Sequence, residues 1–264
     1  MLTLAGKTVD LGDNWSGIVA KQQTLAEYKD TIAVVGMSCR FPGANNPSEY
    51  WKLISEGREA IRKFPSERIS RYTAEAKKMQ AGFLSCAIDE FDAKFFGISP
   101  REAVLLDPQQ RLLLELSWEC LEHAGINPQT LRGSNTTGVY AGIWQRDYEE
   151  IIRESLKDDL SFDFLRGFLG NKFSATASRL SFCLGFLGPA LAIESGCSSS
   201  LSAVHLACES LSKGETNLAL ASGVNVILRP INPFGENGAD ASSSVLSKDY
   251  RCKTFDESAN GYVR

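Results

Sequence analysis

The stretch PALAIESGCSSSLSAVHLACESLSKGE (189–215) decides the fold class of this chain. Residues 188–195 are mostly apolar and predict a strand, and the residues that follow predict a helix over 197–213. Two further strands are predicted on either side, TGVYAGI (137–143) and NLALASGVNVIL (217–228). Strands that alternate with helices in this way indicate a layered α/β fold.

Upstream, the clearest signal is a helix start. Asp107 is a suitable N-cap for a helix over residues 108–124, and Gln110 occupies the third position of a capping box. The other predicted elements are a buried strand over Ile32–Val35, a short helix over residues 47–57, a loop-rich segment over residues 58–100 and an acidic amphipathic surface helix over residues 147–160.

The composition excludes several classes of protein. The 264 residues are 43% hydrophobic and carry a formal net charge of −4, which argues against a surface that coats nucleic acid. The seven cysteines are odd in number and lack CxxC spacing, so we expect neither a disulfide framework nor a metal site, and we expect a reducing cytosol. No run approaches the ~20 apolar residues that span a bilayer, so no membrane association is expected.

Cys197 is the candidate for covalent chemistry. It is predicted to lie in the first turn of the 197–213 helix, where unpaired N–H groups and the macrodipole stabilise a thiolate. Gly196 permits a sharp turn from strand to helix, and neighbouring amides can stabilise an oxyanion. Ser198 and Ser199 are small enough to leave room for an acyl group. The alternative from local physics alone is a structural cysteine near a helix end.

The apolar pattern of the same helix predicts that the helix is buried. Apolar residues recur along it at helical spacing and extend around much of its circumference, which is typical of a buried helix. The predicted buried stripe consists of Cys197, Leu201, Val204, Cys208 and Leu211.

The segment GCSSSLSAVHLACESL resembles the active-site segment of the ketosynthase domains of type I modular polyketide synthases, which reads DTACSSSLVAVHLACQSL. The resemblance extends over residues 31–264 through IAVVGMSCRFPGA, FFGISPREAVLLDPQQRLLLELSWECLEHAGI, TGVYAGI, SATASRLSFCLGFLGPALAIESGCSSS, LALASGVNVIL and KDYRCKTFDESANGYVR. It implies a thiolase-like layered αβαβα fold, of which this chain is the N-terminal half plus the start of the remainder, truncated before the second half.

The resemblance also implies the chemistry. Cys197 would accept an acyl chain from an acyl carrier protein and would then condense it with a malonyl-type extender in a decarboxylative Claisen reaction. No cofactor would bind directly, because the carrier protein supplies its phosphopantetheine arm with the substrate. The expected partners are acyl and malonyl-type thioesters, the acyl carrier protein and a second copy in a homodimer.

Two departures from the family pattern stand out. Glu194, Ser195 and Gly196 replace Asp-Thr-Ala before the cysteine, and we hypothesise that Gly196 widens the pocket for branched or bulky acyl groups. The chain ends at Arg264, so the histidines and the lysine of the catalytic site are expected beyond it. His205 is predicted to have a structural role and His123 a capping or packing role at the end of its helix.

The expected organisation is an N-terminal extension or linker over residues 1–30 and an incomplete ketosynthase domain over residues 31–264. We expect a piece of a longer protein that belongs to a condensing enzyme, and we do not expect this fragment alone to be competent for condensation. The alternatives are a truncated, non-condensing module that binds carrier protein or synthase partners, and a cysteine hydrolase, for which a base and an orienting acid are lacking.

Overall fold

The computed structural model describes residues 1–5, 31–66, 79–156, 162–229 and 245–264, which form two compact units. The first unit comprises residues 1–38 and 89–225, and the second comprises residues 39–88 and 226–264. The strands in these residues are β1 (Leu2–Ala5), β2 (Ala33–Met37), β3 (Arg62–Lys63), β4 (Gln80–Ala81), β5 (Thr137–Ile143), β6 (Ala190–Ile193) and β7 (Leu218–Val224). The α-helices are α1 (Pro47–Ser55), α2 (Pro100–Leu105), α3 (Pro108–His123), α4 (Asp147–Ser155), α5 (Phe162–Gly170), α6 (Phe173–Leu184) and α7 (Ser199–Ser212).

A five-stranded mixed sheet forms the centre of the first unit, in the order β2-β1-β7-β5-β6. Strand β5 pairs in parallel with both β6 and β7, whereas β1 is antiparallel to β2 and β7. Helices connect the parallel strands, as the alternation in the sequence predicts. The layered α/β prediction is therefore confirmed.

Each face of this sheet has its own hydrophobic core. Large residues of β5 and β7, such as Val139 and Leu220, pack with residues of α3 and α6. Their alternating neighbours, such as Tyr140 and Ala221, pack with Ala207 and other residues of α7. Because successive side chains of a strand point to opposite faces, α3 and α6 cover one face and α7 covers the other.

The start of α3 confirms the predicted cap but not the capping box. The Asp107 carboxylate accepts the Gln109 N–H, as an N-cap residue should. The Gln110 side chain does not turn back to the Asp107 backbone. It donates to the Gly170 carbonyl and accepts from Arg179, so the capping-box prediction is wrong. Contacts with α5 and α6 take precedence over the local motif.

The N-terminal residues contribute to the sheet. Leu2–Ala5 form β1 between β2 and β7, a strand that the prediction of an extension or linker over residues 1–30 did not include. Four residues are too few to show a periodicity, whereas pairing on both sides stabilises them. Residues 6–30 lie outside the described residues, and the domain boundary at residue 31 stays a prediction.

Strand β2 is less buried than its composition predicts. Val34 is 52% exposed and Met37 is also exposed, because β2 lies at the edge of the sheet. The prediction of a buried strand over Ile32–Val35 is therefore wrong about burial. Gly36 is the buried position, where a Cβ would lie 2.3 Å from the Cys120 carbonyl oxygen of α3.

Three helices of the first unit, α4, α5 and α6, lie between β5 and β6 in the chain. The surface helix predicted over residues 147–160 is observed as α4, which buries Ile152, and residues 157–160 lie outside the described residues. Helices α5 and α6 were not predicted from the hydrophobic pattern. Gly185 ends α6 in a left-handed conformation, a stop signal that follows a segment of mostly small residues and serines.

The second unit contains the short β3–β4 ladder and helix α1. The ladder packs in a small core with Phe64, Phe83 and Ile227. Asn46 caps α1 by accepting the Glu49 N–H, and the short helix predicted over residues 47–57 is confirmed. In neither unit do the described residues include a helix that is long and apolar enough to cross a membrane.

Candidate active site around Cys197

Cys197 lies in a short 3-10 turn, Gly196–Ser198, between the end of β6 and the start of α7. The sequence predicted the first turn of the helix, and the structure places the thiol in the turn that leads into it. Strands β5, β6 and β7 are parallel, so their carboxyl ends lie at the same edge of the sheet, where Cys197 follows β6. The side chain is exposed. The edge at the carboxyl ends of parallel strands is where open α/β sheets bind ligands.

Ser199 holds this turn together. Its buried hydroxyl donates to the Gly196 carbonyl at 2.7 Å and accepts the Ser195 N–H at 3.0 Å. Both bonds bridge the residues that flank Cys197, so they restrict the path of the backbone on each side of the thiol. Ser199 was predicted to lie beside an acyl group, and its hydroxyl is engaged within the turn.

The exposed side of the turn carries a second set of polar contacts. The Ser198 hydroxyl donates to the Ser195 carbonyl at 2.9 Å, and the Ser195 and Ser202 hydroxyls lie 3.0 Å apart. The Glu194 carboxylate accepts the Gly196 N–H at 3.1 Å. A carboxylate therefore fixes the peptide that precedes the nucleophile candidate.

Other cysteines are less suited to nucleophilic attack. Burial raises the pKa of the Cys120, Cys183 and Cys208 thiols, which favours their protonated forms. The exposed Cys252 accepts the Val263 N–H at 3.1 Å in the second unit. Only Cys197 among these five combines exposure with a turn that leads into a helix N-terminus.

A sequence profile described as "Beta-ketoacyl synthase, N-terminal domain" matches residues 29–264. The chain belongs to the beta-ketoacyl synthase family. It is 44% identical over 247 residues to a phenolphthiocerol/phthiocerol polyketide synthase from Mycobacterium tuberculosis, a match that covers 89% of this chain and 11% of that protein. It is also 44% identical over 244 residues to the polyketide synthase GfsA of Streptomyces halstedii, covering 89% of this chain and 3% of that protein. The chain thus spans about a tenth or less of the length of these relatives.

Solved structures support the same family. The ketosynthase from module 6 of the bacillaene synthase of Bacillus subtilis superposes with a TM-score of 0.72 at 38% identity, over 88% of this chain and 37% of that chain. The oxazolomycin ketosynthase domain of Streptomyces albus gives a TM-score of 0.69 at 32% identity, over 87% of this chain and 40% of that chain. The predicted resemblance to polyketide synthase ketosynthases and the thiolase-like fold class are therefore confirmed.

Gly196, where the beta-ketoacyl synthase pattern has alanine, adopts a φ of +62°. A Cβ added there would point into open space, yet that backbone conformation strains any L side chain. The conformation of the turn therefore explains glycine at this position. The hypothesis that Gly196 admits branched acyl groups stays a prediction.

Helix α7 buries only part of the face that its apolar residues predict. Its sheet-facing positions are Ser199, Ala203, Ala207, Ser210 and Leu211, while Leu201 is 73% exposed. The predicted stripe is therefore wrong at Cys197 and Leu201, which are exposed, whereas Leu211 is buried and Val204 and Cys208 pack partly buried against the same core. Small residues of β7 allow α7 to pack close to the sheet, and this close packing selects small residues on the helix as well.

The two histidines of this beta-ketoacyl synthase chain are not brought together. His205 is exposed on α7, and His123 is exposed at the end of α3, on the other face of the sheet. The His123 Nδ1 accepts the Met37 N–H at 3.3 Å, so it links α3 to β2.

Sequence reasoning missed the residues that contact the start of α7. Gly142 of β5 and Gly223 of β7 lie against the start of α7, at Ser199 and Ser200. Their signal was present, because a glycine inside a strand pattern often marks the close approach of another backbone. The hydroxyl contacts of Ser199 had no such signal, since three consecutive serines cannot be told apart by type.

Proposed function

We propose that the protein is a beta-ketoacyl synthase of polyketide assembly and that Cys197 is its acyl-accepting nucleophile. The observation that carries this proposal is the exposed thiol on a braced turn at the carboxyl ends of the parallel strands. Family membership supplies the reaction class, and the turn supplies a place for a covalent intermediate.

The proposed first step is a transfer between thioesters. The Cys197 thiolate attacks the acyl carbonyl, the bond to the donor sulfur breaks, and the donor thiolate takes up a proton as it leaves. Charge develops on the carbonyl oxygen during attack, and backbone N–H groups at the start of α7, beside Cys197, are candidate donors. The acyl chain then remains as a thioester on Cys197.

The proposed second step forms a carbon–carbon bond. A malonyl-type thioester loses CO₂, and the resulting enolate carbon attacks the acyl carbonyl on Cys197. The Cys197 thiolate leaves, and a 3-oxoacyl thioester is released. His123 is at the end of α3, on the face of the sheet opposite α7, and His205 is exposed about two helical turns after Cys197, so neither is placed to serve Cys197 in this step.

Acyl carrier protein is the proposed donor of both thioesters. Its phosphopantetheine arm enters as part of the substrate, so the chain itself needs no directly bound cofactor. The exposure of Cys197 supports delivery by such an arm, because a tethered thioester must reach the sulfur from outside.

A second copy of the chain is the other proposed partner, at the free edge of β6. Strand β6 pairs only with β5 in the described sheet, and Leu191 on it is 45% exposed. Phe182 and Leu187, on α6 and just after it, are 83% and 70% exposed. An open edge with apolar surroundings is suited to pairing with its own symmetry mate.

The experiment supplies an acyl thioester and measures acyl transfer to the protein by mass spectrometry, then adds malonyl-carrier protein and measures the 3-oxoacyl product. The wild-type protein and the Cys252→Ala control are expected to gain one acyl group, whereas Cys197→Ala is not. Acylation of folded Cys197→Ala at the wild-type rate would overturn the proposal. Acylation of Cys197 without product would favour a non-condensing module that binds carrier protein.

A further inference from the structure

Two glycines lie directly opposite each other in the parallel ladder of β5 and β7. The register pairs Gly142 with Gly223, one residue before the end of each strand. Gly142 shares a strand face with Tyr140, and Gly223 shares one with Ala221. Tyr140 and Ala221 both belong to the core formed with α7, so the glycine pair lies under the start of that helix.

Neither position has room for a side chain. A Cβ on Gly142 would lie 2.6 Å from the Ser199 carbonyl carbon and 2.7 Å from its oxygen. A Cβ on Gly223 would lie 2.4 Å from the Ser200 Cβ. These separations are well inside van der Waals contact, so an alanine at either position must displace the first turn of α7 or the strand beneath it.

The contact is transmitted to Cys197 through Ser199. The carbonyl of Ser199 rests on Gly142, while its hydroxyl holds Gly196 and Ser195 on either side of the thiol. A shift of Ser199 therefore shifts the turn. Contacts therefore run from the strand glycines through Ser199 to the turn that carries Cys197.

We propose that Gly142 and Gly223 form a paired glycine seat that sets the position of Cys197 at the carboxyl ends of the strands. They are positioning residues, since they act through Ser199 and Ser200 and do not touch the thiol. The inference rests on the proposed function only in taking Cys197 as the reactive group.

Gly138 provides a matched control in the same strand. It lies on the same face of β5 as Gly142, four residues earlier. The nearest atoms to a Cβ there would be in the side chains of Tyr140, at 2.8 Å, and Thr216, at 3.0 Å, rather than in the backbone of α7. Gly138→Ala therefore crowds the same core without pressing on the turn.

The experiment measures alkylation of Cys197 relative to Cys252 in the same molecule, using limiting iodoacetamide and peptide mass spectrometry. Cys252 is exposed in the second unit and reports any general loosening. An alanine at either position displaces the turn and changes how the Cys197 thiol is presented to the reagent, so Gly142→Ala and Gly223→Ala should each change the Cys197/Cys252 ratio about fivefold. Gly138→Ala should leave the ratio unchanged.

A rescue variant separates the two contacts. The clash at Gly223 is with the Ser200 side chain, so Ser200→Gly should restore the ratio in Gly223→Ala towards that of Ser200→Gly alone. It should not rescue Gly142→Ala, whose clash is with backbone atoms. If a single variant fails to fold, recovery of folding by Ser200→Gly with Gly223→Ala, but not with Gly142→Ala, gives the same answer.

Three results would overturn the proposal that the paired glycine seat positions Cys197. They are an unchanged ratio in folded Gly142→Ala and Gly223→Ala, an equal change in Gly138→Ala, and equal rescue of both glycine variants by Ser200→Gly. Iodoacetamide needs no acyl thioester, so failure of the seat remains distinguishable from failure of the proposed function. A wild-type protein that accepts no acyl group would contradict only the latter.

Discussion

Replacing Asp107 with asparagine should flatten part of the pH dependence of folding stability. Asp107 caps α3 from a buried position, and its carboxylate accepts the backbone N–H and the side-chain N–H of Gln109. Burial, with a smaller contribution from the nearby negative charge of Asp147, raises the pKa of this carboxyl from 3.8 to about 6. The hydrogen bonds from Gln109 and the positive charge of Arg111 lower the pKa but do not cancel the effect of burial.

The size of the effect follows from linkage. Because the pKa is higher in the folded state, the folded protein binds this proton more tightly than the unfolded chain does. The corresponding stabilisation is complete below the unfolded pKa of 3.8 and is lost as the pH rises through about 6. The full shift corresponds to about 3 kcal/mol, and the part lost between about pH 5 and about pH 7 is about 1.3 kcal/mol.

Urea unfolding of the wild type and Asp107→Asn over this pH range measures the effect. Asparagine can keep the cap but cannot titrate, and its changed contact with Gln109 shifts its stability by an amount independent of pH. The wild type should therefore lose about 1.3 kcal/mol more than the variant between about pH 5 and about pH 7. A constant difference between the two proteins, or a difference of opposite sign, would refute the reasoning.

Three further substitutions test other contacts, each by urea unfolding at neutral pH. Ser199→Ala should lower the free energy of unfolding by about 1–3 kcal/mol, because it removes both hydrogen bonds that the Ser199 hydroxyl makes across the turn. Ser198 is exposed, so Ser198→Ala should lower it less, and equal losses in the two variants would contradict the role of the Ser199 hydroxyl in holding the turn. Gly36→Ala should cost about 1–3 kcal/mol because its Cβ would meet the Cys120 carbonyl, and an unchanged midpoint would show that β2 moves freely. Leu180→Ala should cost about 2–5 kcal/mol because its side chain is fully buried between α6 and the sheet, and a loss below about 1 kcal/mol would place it outside the core.

The elements that sequence predicted well are those with several agreeing local signals. The strand TGVYAGI is observed with its predicted bounds, and α3 begins at Pro108 after the Asp107 cap. Family resemblance indicated the fold class through motifs in a common order. Local patterns suffice where a strand is buried on both faces or where a cap, a proline and an apolar repeat coincide.

The errors arose where tertiary packing decides. Leu201 fits an apolar helical stripe, yet α7 turns Ala203 and Ala207 towards the sheet and leaves Leu201 exposed. Gln110 fits a capping box, yet Gly170 and Arg179 supply better-placed partners. Contacts between residues distant in sequence leave little trace in one sequence.

The sequence predicted only part of the candidate site, because the rest of the site depends on contacts between residues distant in sequence. Cys197 and its turn follow from local sequence and family resemblance. The brace by Ser199 and the seat at Gly142 and Gly223 depend on the register of two strands that are far apart in the chain. A single sequence contains the glycines but not their pairing.

The position of the acyl group after one turnover tests the central claim most directly. The protein is incubated briefly with an acyl thioester, digested, and the acyl occupancy of all seven cysteines is quantified by mass spectrometry. Occupancy confined to Cys197 at early times, and abolished by Cys197→Ala without gain at Cys252, is the predicted result. Early acylation of Cys252 or another cysteine in preference to Cys197 would contradict it.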